Sequence, residues 1–126
     1  MKKILVDLTY IIPNVMAGVS VYIYRLLNGF VQCHYTKNII LLCTQSNIHA
    51  IEKDTGNLYQ LLVVDDINIS RIPHLHGLLN LHIVNRLITE NKIDIFFSPF
   101  INIGGLYTSI VPCIGVFHDT QGFELK

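Results

Sequence analysis

Three stretches of this 126-residue chain carry residue types that can bind or act on a ligand: residues 9–18, 98–105 and 118–121. The first ends in Gly18 at the expected start of a helix, where free backbone N–H groups and the helix dipole can hold a phosphate or a carboxylate. A loop glycine kept for close packing is the simpler account, because one glycine lacks the specificity of a full glycine fingerprint. The second stretch joins Ser98-Pro99 to Gly104-Gly105, a loop composition. The third sets the imidazole of His118 beside the carboxylate of Asp119, and a histidine there can donate to or accept from a ligand hydroxyl. A capping aspartate next to a structural histidine explains the same dipeptide.

Other chemistries are disfavoured by what the sequence lacks. There is no G-x-G-x-x-G, and the second expected strand ends in Cys43-Thr44 rather than in an acid that would bind a ribose hydroxyl, which argues against a nicotinamide cofactor. The phosphate-binding G-x-x-x-x-G-K-[ST] loop and the G-x-S-x-G nucleophile elbow are also absent. His74 and His76 would face different sides of a helix, with no carboxylate or cysteine to complete a ligand set, so no metal is expected. Asp65-Asp66 reads as a solvated turn, since adjacent loop carboxylates do not converge on one substrate atom.

The composition describes what must position these groups. Half the residues are hydrophobic (51%) and only 14% are charged, which suits one domain built on a sheet covered on both faces. Nine basic residues balance nine acidic ones, so no field recruits nucleic acid. Such an apolar chain of zero net charge is expected to offer a surface to another domain, a partner chain or a second copy of itself. Cys33, Cys43 and Cys113 are odd in number and lack C-x-x-C spacing, and read as reduced packing residues. Lys2-Lys3-Ile4-Leu5-Val6 imitates a signal peptide, but Asp7 interrupts the apolar run and Pro13 follows, which predicts a cytoplasmic N-terminus.

Hydrophobic spacing predicts buried strands at 3–6, 38–43, 58–64, 94–97 and 111–117. Between the first two, Val19, Tyr22, Ile23, Leu26, Leu27 and Phe30 recur at helical spacing, with Tyr24, Arg25 and Asn28 on the other side. Residues 44–53 form a polar connection or short helix with Ser46 as its cap. Leu75, Leu78, Leu79, His82, Ile83, Arg86 and Leu87 outline a helix over 74–89. This alternation predicts an α/β, Rossmann-like parallel sheet with right-handed crossovers and helices on both faces. In such sheets ligands bind beyond the carboxyl ends of the strands, where the three stretches above emerge.

With those residues in place, the chain resembles the N-terminal, acceptor-side domain of the family 4 glycosyltransferases of the GT-B class. The similarity runs through Ile4-Leu5-Val6-Asp7, Ala17-Gly18-Val19, Tyr22 with the helix around it, Phe97-Ser98-Pro99-Phe100, and Val116-Phe117-His118-Asp119-Thr120-Gln121. The shared order of these pieces carries the likeness. The resemblance implies a retaining transfer of a sugar from a nucleotide-sugar to a glycan or lipid-linked acceptor, without a metal, in polysaccharide or glycoconjugate assembly at the cytoplasmic membrane face. It implies that the loop Ala17, Gly18, Val19 approaches the donor phosphates, that His118 is the catalytic contact to the transferred hexose, and that Asp119 and Tyr22 contact sugar or acceptor. The family's loop commonly has paired glycines, and here Ala17 replaces the first.

On this resemblance, residues 1–126 are expected to form a single domain that is an incomplete half of a two-domain enzyme. The donor-binding half would lie beyond Lys126 or on a partner chain, and the isolated chain would be inactive. The alternative is a noncatalytic Rossmann-like binding or protein-interaction module using the same crevice. A dinucleotide-dependent oxidoreductase shares the fold but lacks its fingerprint.

Overall fold

The structure, a computed structural model, describes residues 2–11, 18–64, 77–99 and 106–116, without the side chains of Gly18 and Val19. Five parallel strands form one sheet in the order β3-β2-β1-β4-β5: β1 (Ile4–Asp7), β2 (Ile39–Thr44), β3 (Gln60–Val64), β4 (Ile95–Ser98) and β5 (Cys113–Gly115). β1 is central, with Leu5 opposite Ile40 of β2 and Phe96 of β4. The α/β parallel sheet expected from the sequence is therefore present, with the five strands side by side.

Period-two alternation divides the buried strand residues between two cores. Val6, Ile39, Leu41 and Cys43 point to one face, where they meet Ile23 and Leu27 of α1 (Gly18–Gln32) and Ile51 of α2 (Ile48–Thr55). Leu5, Ile40, Leu42 and Phe96 point to the other, against Ile83, Val84 and Ile88 of α3 (Leu81–Glu90). Helices thus cover both faces. β1 and β2 are apolar throughout because both of their sides are buried, and each enclosed leucine or isoleucine contributes about 1.5–3 kcal/mol.

Several local expectations need correction. The buried stripe of α1 is rotated toward Ser20, Ile23 and Leu27, so Tyr22 is 37% exposed while Tyr24, assigned to the polar side, packs on the core. An amphipathic tyrosine can do this because its hydroxyl finds a partner: burial and a hydrogen bond to Asp54 push the Tyr24 phenol up to about 12. The residue at the start of α2 is Asn47, not Ser46, whose hydroxyl pairs with Thr44. α2 ends at Gly56, whose φ of 65° lets its N–H reach the Glu52 carbonyl.

The helical phase expected over 74–89 does not run through Asn80, which has φ −105° and ψ 7° and begins α3 anew. Leu78, Leu79 and His82 are exposed in consequence, and the buried set is Ile83, Val84 and Ile88. Residues 74–76 lie outside the described residues. β5 is an edge strand, shorter than the expected 111–117, with Ile114 51% exposed and Cys113 only half-buried. Cys33 is exposed beyond α1, and of the three cysteines only Cys43 is fully enclosed. Among the described residues no helix is long and apolar enough to cross a membrane.

Candidate functional site at the carboxyl edge of the sheet

The chain builds β1, β2 and β3 outward in one direction and then returns to lay β4 on the opposite side of β1. The reversal sets a topological switch point between the carboxyl ends of β1 and β4, and open α/β sheets bind ligands in the crevice beyond the strand ends at such a point. Asp7 ends β1 there and Ser98 ends β4. The register pairs Val6 with Phe97, so one further step sets Asp7 beside Ser98, and alternation puts both on the face shared by Leu5 and Phe96.

Asp7 is fully buried, and its carboxylate ties two distant segments together. Oδ1 accepts from the Thr9 N–H at 2.9 Å and the Thr9 hydroxyl at 2.5 Å, closing a turn directly after β1. Oδ2 accepts from the Leu106 N–H at 2.8 Å, across 99 residues of chain. Burial of a carboxylate demands such donors. From Leu106, itself fully buried, the chain runs along the α3 side of the sheet, where the Thr108 hydroxyl donates to Asn85, and reaches Pro112, whose carbonyl accepts from the Phe96 N–H at 3.0 Å. Residues 106–112 therefore form a strap whose upper end rests on Asp7.

A second staple holds the turn after β1 from the β2 side. Asn47 is fully buried, its side-chain amide donates to the carbonyls of Leu8 and Ile11 at 2.9 Å each, and its Oδ1 accepts from the Thr44 N–H at 2.9 Å. Asp7 and Asn47 together fix the path by which the chain leaves the central strand.

The charge of Asp7 is felt on neighbouring strands. Burial, with Asp7 and then Glu52 adding to it, pushes the Cys43 thiol up to about 12. Burial and the same carboxylate raise Cys113, against a backbone hydrogen bond at Thr108 that lowers it. Cys43 is thus a thiol rather than a thiolate at neutral pH and no nucleophile. Ser98 differs from its neighbours: it is fully buried, and its Oγ has no hydrogen-bond partner among the described residues.

Of the residues singled out in the sequence, Gly18 is the first residue of α1 and Val19 the second, following the turn that Asp7 and Asn47 hold. Tyr22 lies one turn further along, partly exposed. Ala17, His118 and Asp119 lie outside the described residues. Asp7 and Asn47 escaped sequence reading as site-forming groups. For Asp7 the available signal was a lone carboxylate closing an apolar strand with a threonine two residues on.

A cavity of about 480 Å³ lies elsewhere, near the amino-terminal edge of the sheet, between α1, the end of α2 and the approach to β3. Two tyrosines line it, Tyr24 with its hydroxyl on Asp54 and Tyr59 with its hydroxyl donating to the Leu27 carbonyl. It belongs to the packing of α1 on α2, at the opposite end from the crevice. No protein-family model and no curated protein matches this chain.

Proposed function

We propose that this chain is the acceptor-side, Rossmann-like part of a retaining glycosyltransferase of the GT-B class, taking a nucleotide-sugar and a glycan or lipid-linked acceptor without a metal. The observation that carries the reading is the topological switch point: the turn after β1, which leads in sequence to Gly18 at the head of α1, lies at the same carboxyl edge as the ends of β4 and β5. β5 lies two strands from β1, so its carboxyl end is about 10 Å from that of β1. That spacing supports a site in which the first turn of α1 holds donor phosphates and His118, three residues beyond the end of β5, contacts the hexose. Only interactions that strengthen in the transition state raise the rate, and a histidine hydrogen bond to the transferred sugar is one.

Two substitutions in the transferring enzyme test this. His118→Ala lowers the transfer rate about ten- to a thousand-fold with the melting temperature unchanged. Gly18→Val weakens donor binding by setting a branched side chain against the phosphate site. Wild-type rates in both variants contradict the proposal.

A further inference from the structure

We propose that the outer edge of β3 docks a second copy of this chain, β3 against β3 and antiparallel, so that the two sheets run on as one. The inference is independent of the functional reading above.

β3 ends the sheet on the β2 side, and its outer edge has no strand partner among the described residues. Its residues, Gln60-Leu61-Leu62-Val63-Val64, include no charge and no proline, and their register with β2 runs unbroken. Sheet edges are ordinarily guarded by charged side chains, proline, a bulge or extreme shortness, because their unpaired N–H and C=O groups template pairing with another chain. The opposite edge is guarded in this way: β5 has three residues and starts directly after Pro112. β3 has none of these devices. Gln60 and Val63 are exposed, and Leu61 and Leu62 are only half-buried although one packs on each core. The margin of both apolar layers is therefore open to water along this strand.

The strand is also complementary to itself. Antiparallel pairing centred on Leu62 sets that residue against its own copy, Leu61 against Val63 and Gln60 against Val64. No like charges meet. Opposed residues in a ladder point to the same side, so Leu61 and Val63 of the two copies join on the α1–α2 face and the Leu62 pair joins on the α3 face. A net charge of zero adds no long-range repulsion between copies. This pairing is twofold symmetric and closes with two copies. Docking β3 on the β5 of another copy would instead build an open-ended array and leave part of β3 unpaired. One five-residue edge with its margins is small for a specific interface, so the association is weak, in the micromolar range.

The test is sedimentation equilibrium of the chain from about 5 to 500 μM, over which the mass rises from 14.3 kDa toward twice that value. Val63→Lys sets a charge against Leu61 at both ends of the pairing and weakens association about tenfold or more, with circular dichroism and Tm unchanged. Gln60→Lys, at a side chain already exposed, also weakens it without touching a packed position, and decides alone if Val63→Lys unfolds. Ile114→Lys on β5 leaves association as it is. A monomer at every concentration overturns the proposal, as does a mass that climbs past the dimer. Wild-type association in the folded β3 variants, or an equal loss in Ile114→Lys, overturns it as well.

Discussion

Replacing Asp7 by asparagine keeps the shape of the side chain and removes one acceptor. Among the contacts within the described residues, the carboxylate accepts from Thr9 twice on Oδ1 and from the Leu106 N–H on Oδ2. An amide has one oxygen, so if that oxygen faces Thr9, its NH₂ group faces the Leu106 N–H, donor against donor. The loss is one charge-assisted hydrogen bond, worth about 1.5–3 kcal/mol, together with part of the desolvation cost of an unpaired backbone N–H. Because the strap can shift to let that N–H reach water, about 3 kcal/mol is the expected total. With an unfolding entropy of about 2.1 cal/mol/K per residue, that lowers Tm by about 11 °C.

Thermal melting followed by circular dichroism measures the total, and hydrogen exchange locates it. The Leu106 amide loses protection in Asp7→Asn, while the Leu8 amide, bonded to the Leu42 carbonyl at 2.9 Å, keeps its own. An unchanged Tm with a protected Leu106 amide would refute the view that Asp7 pins the strap over the crevice.

The staple on the other side gives a parallel expectation: Asn47→Ala strips partners from the Leu8 and Ile11 carbonyls and the Thr44 N–H, lowering stability by about 2–4 kcal/mol in urea unfolding at unchanged m-value. Gly56→Ala costs about 1 kcal/mol in the same assay, since a Cβ there meets no atom within 4 Å and the penalty is that of a φ of 65° alone. Alkaline pH is destabilising through three groups. Tyr24 and Tyr59 rise from 10.0 to about 12, and Cys43 from 9.0 to about 12. Each holds its proton more tightly folded than unfolded, so this stability is fully present below pH 9 and declines as pH rises toward 12. Tyr24→Phe flattens that decline in pH-dependent melting, and an identical pH profile in the variant would rule out its share.

How much of this was legible in the sequence depends on the range of the interaction involved. Ile39 to Cys43 and Ile4 to Val6 could be read as strands because strands buried on both sides are apolar at successive positions whatever they pair with. The layout of alternating strands and helices then follows from handedness and connection rules that need no side-chain detail. The phase of α1 was less legible, because Tyr24 is polar by type and becomes a core residue only once Asp54, thirty residues on, accepts its hydroxyl. The phase of α3 was lost at Asn80, where a backbone conformation that no periodicity records restarts the helix. Asp7 read only as an interruption of an apolar run. Its role depends on the Leu106 amide arriving from 99 residues away, and that contact exists only after β4 has crossed to the far side of β1.

The central claim is that the switch-point edge supplies this acceptor-side chain's share of a nucleotide-sugar site, the first turn of α1 meeting the donor phosphates while the other half of the enzyme holds the rest of the donor. The most direct measurement is a ¹H–¹⁵N NMR titration of the protein with UDP- and GDP-hexoses, with NADH as the comparison. The account predicts that at least one nucleotide-sugar shifts the amides of Gly18 and Val19 together with those at the end of β4, and that NADH leaves them in place. Shifts with NADH alone, or no response at the carboxyl edge to any nucleotide-sugar, would contradict it.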